Sequence, residues 1–495
     1  MHTLHEWRTL AATIEPRTHA FIDGSFVDAA DGDTIETVNP ADGTVLARVA
    51  RGRATDINDA VRAARRAFES GSWSRTAPAH RKAVLLALAE KIREHADELA
   101  LLDTLDGGKL ITDTSTIDIP GSAAILQWYA EAVDKLYGEV APTGPADLAI
   151  ITREPLGVVG AVVPWNYPLE MEIWKLAPAL AAGNSVVLKP AEESPLSALR
   201  LAELAAEAGL PDGVLNVVPG YGEEAGRALG EHPDVDAIAF TGSTVVGKMF
   251  LSYAGASNMK QVWLECGGKS ANLVFADAAD LDAVADKAVF GIYTCSGQVC
   301  SANSRLLVEE SIADDLVTRI AERASALRVG DPLDPASTMG PLVSERQLER
   351  VLGYVDVGRA EATLAFGGNR LLEDSGGYYV QPTAFTGVAP DATLAREEVF
   401  GPLLAVTTFR TEQEAVALAN GSEYGLAASI FTDSLSRAQR IAPALHVGTV
   451  SVNTVDALDV TTPFGGVKQS GYGRDLSLHA LDKFTALKTT WFAGA

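Results

Sequence analysis

The sequence predicts an α/β protein built on two largely parallel sheets, and three observations carry that expectation. Five apolar runs, at 158–163, 186–188, 214–218, 237–240 and 261–264, are separated by helix-length stretches at 169–182, 196–208, 223–229 and 245–254. Strands joined by helical crossovers make a parallel, doubly wound sheet whose ligands sit beyond the carboxyl ends of the strands. A second alternation follows Gly268, with strand-like runs at 271–275, 306–309, 403–409, 427–431 and 449–452. Finally, 495 residues suffice for two or three domains with large cores.

Taken in order, the first 50 residues read as hairpin material. Asp23-Gly24 and Asp42-Gly43 are turn dipeptides flanked by apolar residues. A helix should begin near Thr55 or Asp56, since either can cap it, with Ile57, Ala60, Val61, Ala64 and Phe68 on one face. One long helix is expected over 81–105, stopped by Gly107 and Gly108, and another over 122–136. The domain limits follow: a nucleotide-binding domain from 1–135 and 155–267, and a catalytic domain from 268–467. The stretch 136–154, expected to project as a ribbon at 138–153, and the strand-like tail within 478–495 lack company in either domain. Both are candidates for subunit contacts.

Composition excludes several classes. The formal net charge of −25 argues against nucleic-acid binding and against a polybasic membrane surface. Three cysteines (Cys266, Cys295 and Cys300) in so long a chain are no disulfide framework. The start lacks the apolar core of a secretory signal, and nowhere do eighteen consecutive apolar residues occur. A cytoplasmic protein that spans no membrane is expected. No metal-ligand spacing stands out.

The chemistry centres on Cys300, between the helix-like run 281–291 and the strand-like run 306–308, with Gly297 permitting a tight turn before it. A thiolate is a strong nucleophile, although a single cysteine is as readily a small buried hydrophobe. Glu265 ends the fifth strand and precedes Cys266, Gly267 and Gly268, so it can face the cleft as a general base; a capping or ion-paired role is the alternative. Asn166, after Trp165, can donate to a developing oxyanion, or can make an Asx turn before Pro168. Gly220 also falls at a strand end. Gly242 and Ser243 open a helix suited to a pyrophosphate, and a plain N-cap by Ser243 is the other reading. Lys189 and Glu192 can hold the ribose hydroxyls of an adenosine, where a carboxylate disfavours a 2′-phosphate, or can be a surface ion pair. Glu398 and Phe400 share a face if their segment is a strand, placing an acid beside an aromatic ring.

The sequence resembles the aldehyde dehydrogenase superfamily over nearly its whole length. The motifs PWNYP (164–168), LKPAE (188–192), FTGSTVVG (240–247), LECGGKS (264–270), GQVC (297–300), EEVFGP (397–402) and PFGGVKQSG (463–471) carry the likeness. The resemblance implies a Rossmann-type cofactor domain, a second α/β catalytic domain and a small β oligomerisation ribbon, in a homodimer or homotetramer. It implies Cys300 as nucleophile, Glu265 as base and Asn166 as oxyanion donor. It places Trp165, Lys189, Glu192, Gly220, Gly242, Ser243, Glu398 and Phe400 around NAD, with NADP less favoured. Two departures stand out: Cys266 stands where the family usually has glycine, threatening to crowd the turn that aims Glu265, and Val245 replaces a common acidic residue.

Within the family, AEAVDKLYGEV (130–140), SNMKQVWLE (257–265), EESIADDL (309–316) and GRDLSLHALDKFTALKTTW (473–491) resemble gamma-glutamyl-gamma-aminobutyraldehyde and 4-guanidinobutyraldehyde dehydrogenases. Such polyamine-derived substrates carry a polar or cationic end far from the aldehyde. The likeness puts Tyr167, Glu170, Met171, Trp174, Val299, Ser301, Asp456, Asp459 and Phe464 around the aldehyde tunnel. Glu170, Asp456 and Asp459 are candidate partners for a cation, and Tyr167, Trp174 and Phe464 for apolar walls. A broad-specificity or betaine-aldehyde-type enzyme is the alternative within the family, and a non-redox cysteine hydrolase the alternative outside it.

Overall fold

The computed structural model describes residues 2–494. Its first sheet has eight strands, and the five central ones are parallel. Their order is Leu215–Val217, Ser185–Lys189, Val158–Val162, Ala237–Gly242 and Gln261–Cys266. The order reverses beside Val158–Val162, so the crevice over that strand's carboxyl end is the ligand position of a doubly wound sheet. The hairpin Ala20–Ile22 and Ser25–Val27, turning at Asp23-Gly24, closes one edge. Gly471–Tyr472 closes the other, placing Gly471 opposite Glu265.

The second sheet has seven strands in the order Thr363–Phe366, Thr383–Thr386, Leu403–Phe409, Arg305–Glu309, Ala271–Val274, Ala427–Phe431 and Thr449–Val452. All neighbours are parallel except the first pair. The two strands at the Thr363 edge escaped the sequence reading because they are short and mostly lack an apolar run.

The ribbon and the tail find each other. Thr485–Phe492 pairs antiparallel with Leu148–Pro155 along its full length, and Glu139–Ala141 adds a third strand. The expected strand in the tail thus forms, and every side chain after Thr485 along it is exposed, Leu487, Trp491 and Phe492 among them.

Three expectations are corrected. The helix over 81–105 is two helices, Pro78–Glu94 and Ala96–Gly107, broken at His95 (φ −106°, ψ 24°). His95 is held there by Glu98 at 2.9 Å and Arg200 at 3.2 Å, contacts that no local periodicity reveals. The first long helix starts at Ala54, with Asp56 in its first turn. Its carboxylate accepts from the Arg53 amide at 2.8 Å and from the Ala30 amide at 2.7 Å, tying the helix start to a loop instead of capping it from outside. Finally, Glu398 and Phe400 lie in a coil and not in a strand. Phe400 has φ +59°, and Arg350 and Gln347 donate to the Glu398 and Phe400 carbonyl oxygens at 2.7 Å. The helix Glu345–Glu361 therefore sets the direction of this segment.

Candidate active site

A cavity of about 1370 Å3 runs between the two sheets. Cys300, Glu265 and Asn166 all line it, although they come from segments far apart in the chain. Cys300 follows the turn Thr294–Gly297, where Cys295 and Ser296 adopt left-handed backbone (φ 50° and 55°) and Gly297 has φ +72°. A Cβ on Gly297 would lie 2.2 Å from the Gly401 carbonyl oxygen, so only glycine fits. That turn aims both cysteines into the cavity.

Asn166 is buried and donates from Nδ2 to the Gln298 carbonyl oxygen at 2.8 Å, two residues before Cys300. The Asx-turn alternative is not what forms. An amide carries two N–H groups, so the second remains to point at a ligand. Glu265 is buried, and its Oε1 has no hydrogen-bond partner among the described residues, which disposes of the capping alternative. Burial pushes its carboxyl up to about 8, partly offset by Lys175 and reinforced by Asp475. Burial, with Glu265 and Asp456 nearby, also pushes the Cys300 thiol well above its ordinary range. Each of the two groups alters the other's proton affinity.

Behind Glu265 lies a buried ionic triad. Lys175 and Lys483 both donate to the Asp475 carboxylate. Burial pushes that carboxyl up, but the two ammonium groups outweigh it and hold it below the usual carboxylate range. Sequence reading missed this triad: its members lie on the helix Pro168–Ala182, a loop and the turn Leu478–Phe484, and no local pattern joins them.

Cys266 does not crowd Glu265. Its thiol occupies the space left by Gly247, where a Cβ would stand 2.8 Å from the sulfur. Val245 is exposed at the cavity's edge.

One arm of the cavity fits a dinucleotide. Trp165, Lys189, Glu192, Gly242, Ser243, Glu398 and Phe400 line it. Ser243 is the N-cap of the helix Thr244–Ala256 and accepts from the Val246 amide at 3.3 Å, leaving other first-turn amides for an anion. Lys189 does pair with Glu192, at 2.8 Å, but as a buried lysine on the cavity wall instead of a surface pair. Glu398 accepts from the Gly268 amide at 2.9 Å, and burial raises its carboxyl to about 7. A Cβ on Gly267 would lie 2.2 Å from the Glu398 carboxylate, so the floor of this arm is shaped by the absence of a side chain. Phe400 meets Trp165 edge-on at 5.3 Å. Gly220 is not among the lining residues: it packs against Gly52, where a Cβ would approach the carbonyl oxygen to 2.5 Å.

The other arm holds Tyr167, Glu170, Met171, Trp174, Val299, Ser301, Asp456 and Phe464. Trp174 and Phe464 stack edge-on at 5.6 Å. Ser301 donates to Asp456 at 2.6 Å. Burial and the Asp118 carboxylate push the Glu170 carboxyl up to about 8. Asp459 is the exception: it is exposed, accepts from Thr461, and does not reach the cavity. The structure adds residues the sequence did not single out. Lys109 lies 2.9 Å from Asp118 and 3.1 Å from the centre of the Tyr167 ring, and Asp113 and Cys295 share the wall. Asp118 is delivered by a π-helical turn, Thr114–Asp118, which period-3.6 reading cannot foresee.

Comparison with known proteins bears on this arrangement. Residues 26–490 match the model of the aldehyde dehydrogenase family. A relative from Escherichia coli strain K12, the NADP/NAD-dependent aldehyde dehydrogenase PuuC, is 54% identical over 492 residues, covering 99% of each chain. The crystal structure of gamma-glutamyl-gamma-aminobutyraldehyde dehydrogenase from Burkholderia cenocepacia J2315 superposes with a TM-score of 0.98 at 54% identity, over 99% of this chain and 100% of that one. That of an indole-3-acetaldehyde dehydrogenase in complex with NAD+ gives 0.99 at 52% identity over 100% of both.

Proposed function

As the chain belongs to the aldehyde dehydrogenase family and is an NAD-dependent enzyme that oxidises aldehydes, we propose that its substrate is an aldehyde with a positively charged far end, an ω-amino or other polyamine-derived aldehyde. The observation that carries this reading is the charge of the substrate arm. Asp113, Asp118, Glu170 and Asp456 line it against one ammonium group, Lys109, which Asp118 already holds. Asp456 is engaged by Ser301, so Glu170 is the carboxylate most open to a ligand cation. A buried carboxylate that gains a cation recovers the cost of its own burial. The aldehyde named for the Burkholderia cenocepacia relative is polyamine-derived and carries an ammonium at its far end, there beside a carboxylate.

The geometry supports the following residue roles. The Cys300 sulfur attacks the carbonyl carbon while its proton passes to Glu265. The oxyanion takes the free Nδ2 hydrogen of Asn166, in an enclosed site where such a donor acts strongly. NAD supplies the acceptor for the hydride that the substrate carbon then loses, leaving a thioester on Cys300. Glu265 gives the first proton up to solvent and is a base again; it then removes a proton from water as the water attacks the thioester, and returns that proton to the Cys300 sulfur as the carboxylic acid departs. Two steps with lower barriers replace one. Lys189 and Glu192 would hold the adenosine ribose of NAD, Ser243 and Gly242 its pyrophosphate, and Glu398 its second ribose, with Phe400 and Trp165 offering aromatic faces to the nicotinamide.

The three-stranded sheet, with Leu487, Trp491 and Phe492 exposed along its last strand, serves assembly into a homodimer or homotetramer. The proposed domain limits are 1–135 with 155–267, then 268–467; the central strands of the first sheet lie between Val158 and Cys266 and the strands of the second between Ala271 and Val452, while Gly471–Tyr472 joins the first sheet from beyond both limits. No helix is long and apolar enough to cross a membrane among the described residues. A cytoplasmic location is part of the proposal.

A second reading is an uncharged aromatic aldehyde, favoured by exposed Ile117, Phe290 and Leu458 on the cavity wall. A panel of ω-aminoaldehydes and neutral or aromatic aldehydes of equal length, compared by kcat/KM with NAD, decides between them. A higher ratio for the neutral compounds would overturn the cationic reading.

A further inference from the structure

At the adenosine end of the cavity, two cations face two carboxylates. Lys189 is buried and pairs with Glu192 at 2.8 Å, while Glu193, next in the chain, pairs with Arg346 at 2.9 Å. All four line the same cavity. Arg346 reaches across from the helix Glu345–Glu361, on the opposite wall. The two pairs differ in exposure: the Arg346 side chain is 79% exposed, whereas that of Lys189 is 3% exposed.

We propose that Arg346 is a releasable counter-charge for a 2′-phosphate and so sets how well NADP competes with NAD at this site. The inference rests on the reading of Lys189 and Glu192 as the residues that meet the adenosine ribose. A 2′-phosphate adds up to two negative charges beside Glu192 and Glu193, which the balanced set cannot absorb. Lys189 is fixed by Glu192 and by its burial. Arg346 is free to turn, and a guanidinium matches a phosphate with two parallel hydrogen bonds. The cost of its turning falls on Glu193, left half-buried without a partner. Burial and the Glu192 carboxylate already push the Glu193 carboxyl up, so it takes one proton from solvent as the guanidinium leaves. Glu193 thus restrains Arg346 when the ribose is unsubstituted and neutralises itself when it is phosphorylated.

The test is equilibrium binding of NAD and NADP to the full-length protein, read by quenching of tryptophan fluorescence. Arg346→Gln should raise the ratio of the NADP to the NAD Kd by about tenfold, the scale of one charge-assisted contact. Arg346→Lys should recover part of that change, and Glu193→Gln should lower the ratio by freeing the guanidinium. A ratio in Arg346→Gln within about twofold of the parent, or no NADP binding by the parent, overturns the inference. Lys189→Ala separates the two layers of the argument. If it weakens both cofactors while Arg346→Gln leaves the ratio alone, the ribose reading stands and the inference alone fails. If it affects neither cofactor, both fall.

Discussion

The Asn166 side-chain amide donates to the Gln298 carbonyl oxygen at 2.8 Å, and so is locked to the turn that carries Cys300. An amide fixed before the ligand arrives needs no reorganisation when charge develops beside it, which is the condition for strong electrostatic stabilisation. Asn166→Ala should lower kcat/KM by about 10²- to 10³-fold in steady-state assays. Cofactor affinity, measured separately, should change little.

Glu265 must be ionised to take a proton from water, and its carboxyl is raised by burial to about 8. The base is therefore mostly protonated at neutral pH and active above it. The rate of thioester hydrolysis in single-turnover experiments should rise with pH through about 8 and then level off. Glu265→Gln should abolish that rise and let a covalent acyl-enzyme accumulate, visible by intact mass as the 52.0 kDa chain plus the acyl group. No adduct under saturating substrate would count against Glu265 as the deacylation base.

Glu170→Gln removes the carboxylate best placed for a ligand cation while keeping its volume. The preference for aminoaldehydes over neutral aldehydes of the same length should fall by about tenfold, through KM more than kcat. An unaltered preference in this variant and in Asp456→Asn would remove the support for the cationic substrate. Asp459→Asn provides the control, since that carboxylate is spent on Thr461 outside the cavity.

The triad of Lys175, Asp475 and Lys483 makes a stability prediction. Asp475→Asn leaves two ammonium groups buried without their counter-charge, and breaking a buried pair in this way costs about 3–5 kcal/mol. A thermal melt should show a large drop in Tm. The double change Asp475→Asn with Lys483→Met should recover part of it, because one of the stranded charges is then gone.

Removal of residues 485–495 should convert the assembly to smaller species in size-exclusion chromatography coupled to light scattering. An unchanged mass would refute the assembly role of the three-stranded sheet.

Much of this was legible in the sequence. The central strands of both sheets follow from apolar runs between helix-length segments; Glu265 and Asn166 stood out at strand ends and Cys300 on a turn between a helix and a strand, and the family resemblance raised all three above their plainer readings. What escaped depended on contacts remote in sequence. The break at His95 is held by Arg200, and the direction of Glu398 and Phe400 is imposed by Arg350 and Gln347. Lys109 and Asp118 become a pair only because a π-helical turn rotates the acid inward. Asp459 failed for the opposite reason: a polar loop residue satisfied by its own neighbours looks, in one dimension, the same as a ligand-binding one.

The position of Gly471 opposite Glu265, together with the pairing of residues 485–492 against 148–155, bears on how the protein is made. The edge strand beside the base, Asp475 behind it and the partner of the ribbon are all translated after every other strand of the two large sheets. A nascent chain can fold most of its first sheet before these residues are made, yet the crevice stays unfinished until they join it. Premature termination should therefore yield inert, sticky fragments with bare strand edges, leaving no partly working oxidoreductase for the cell to contend with.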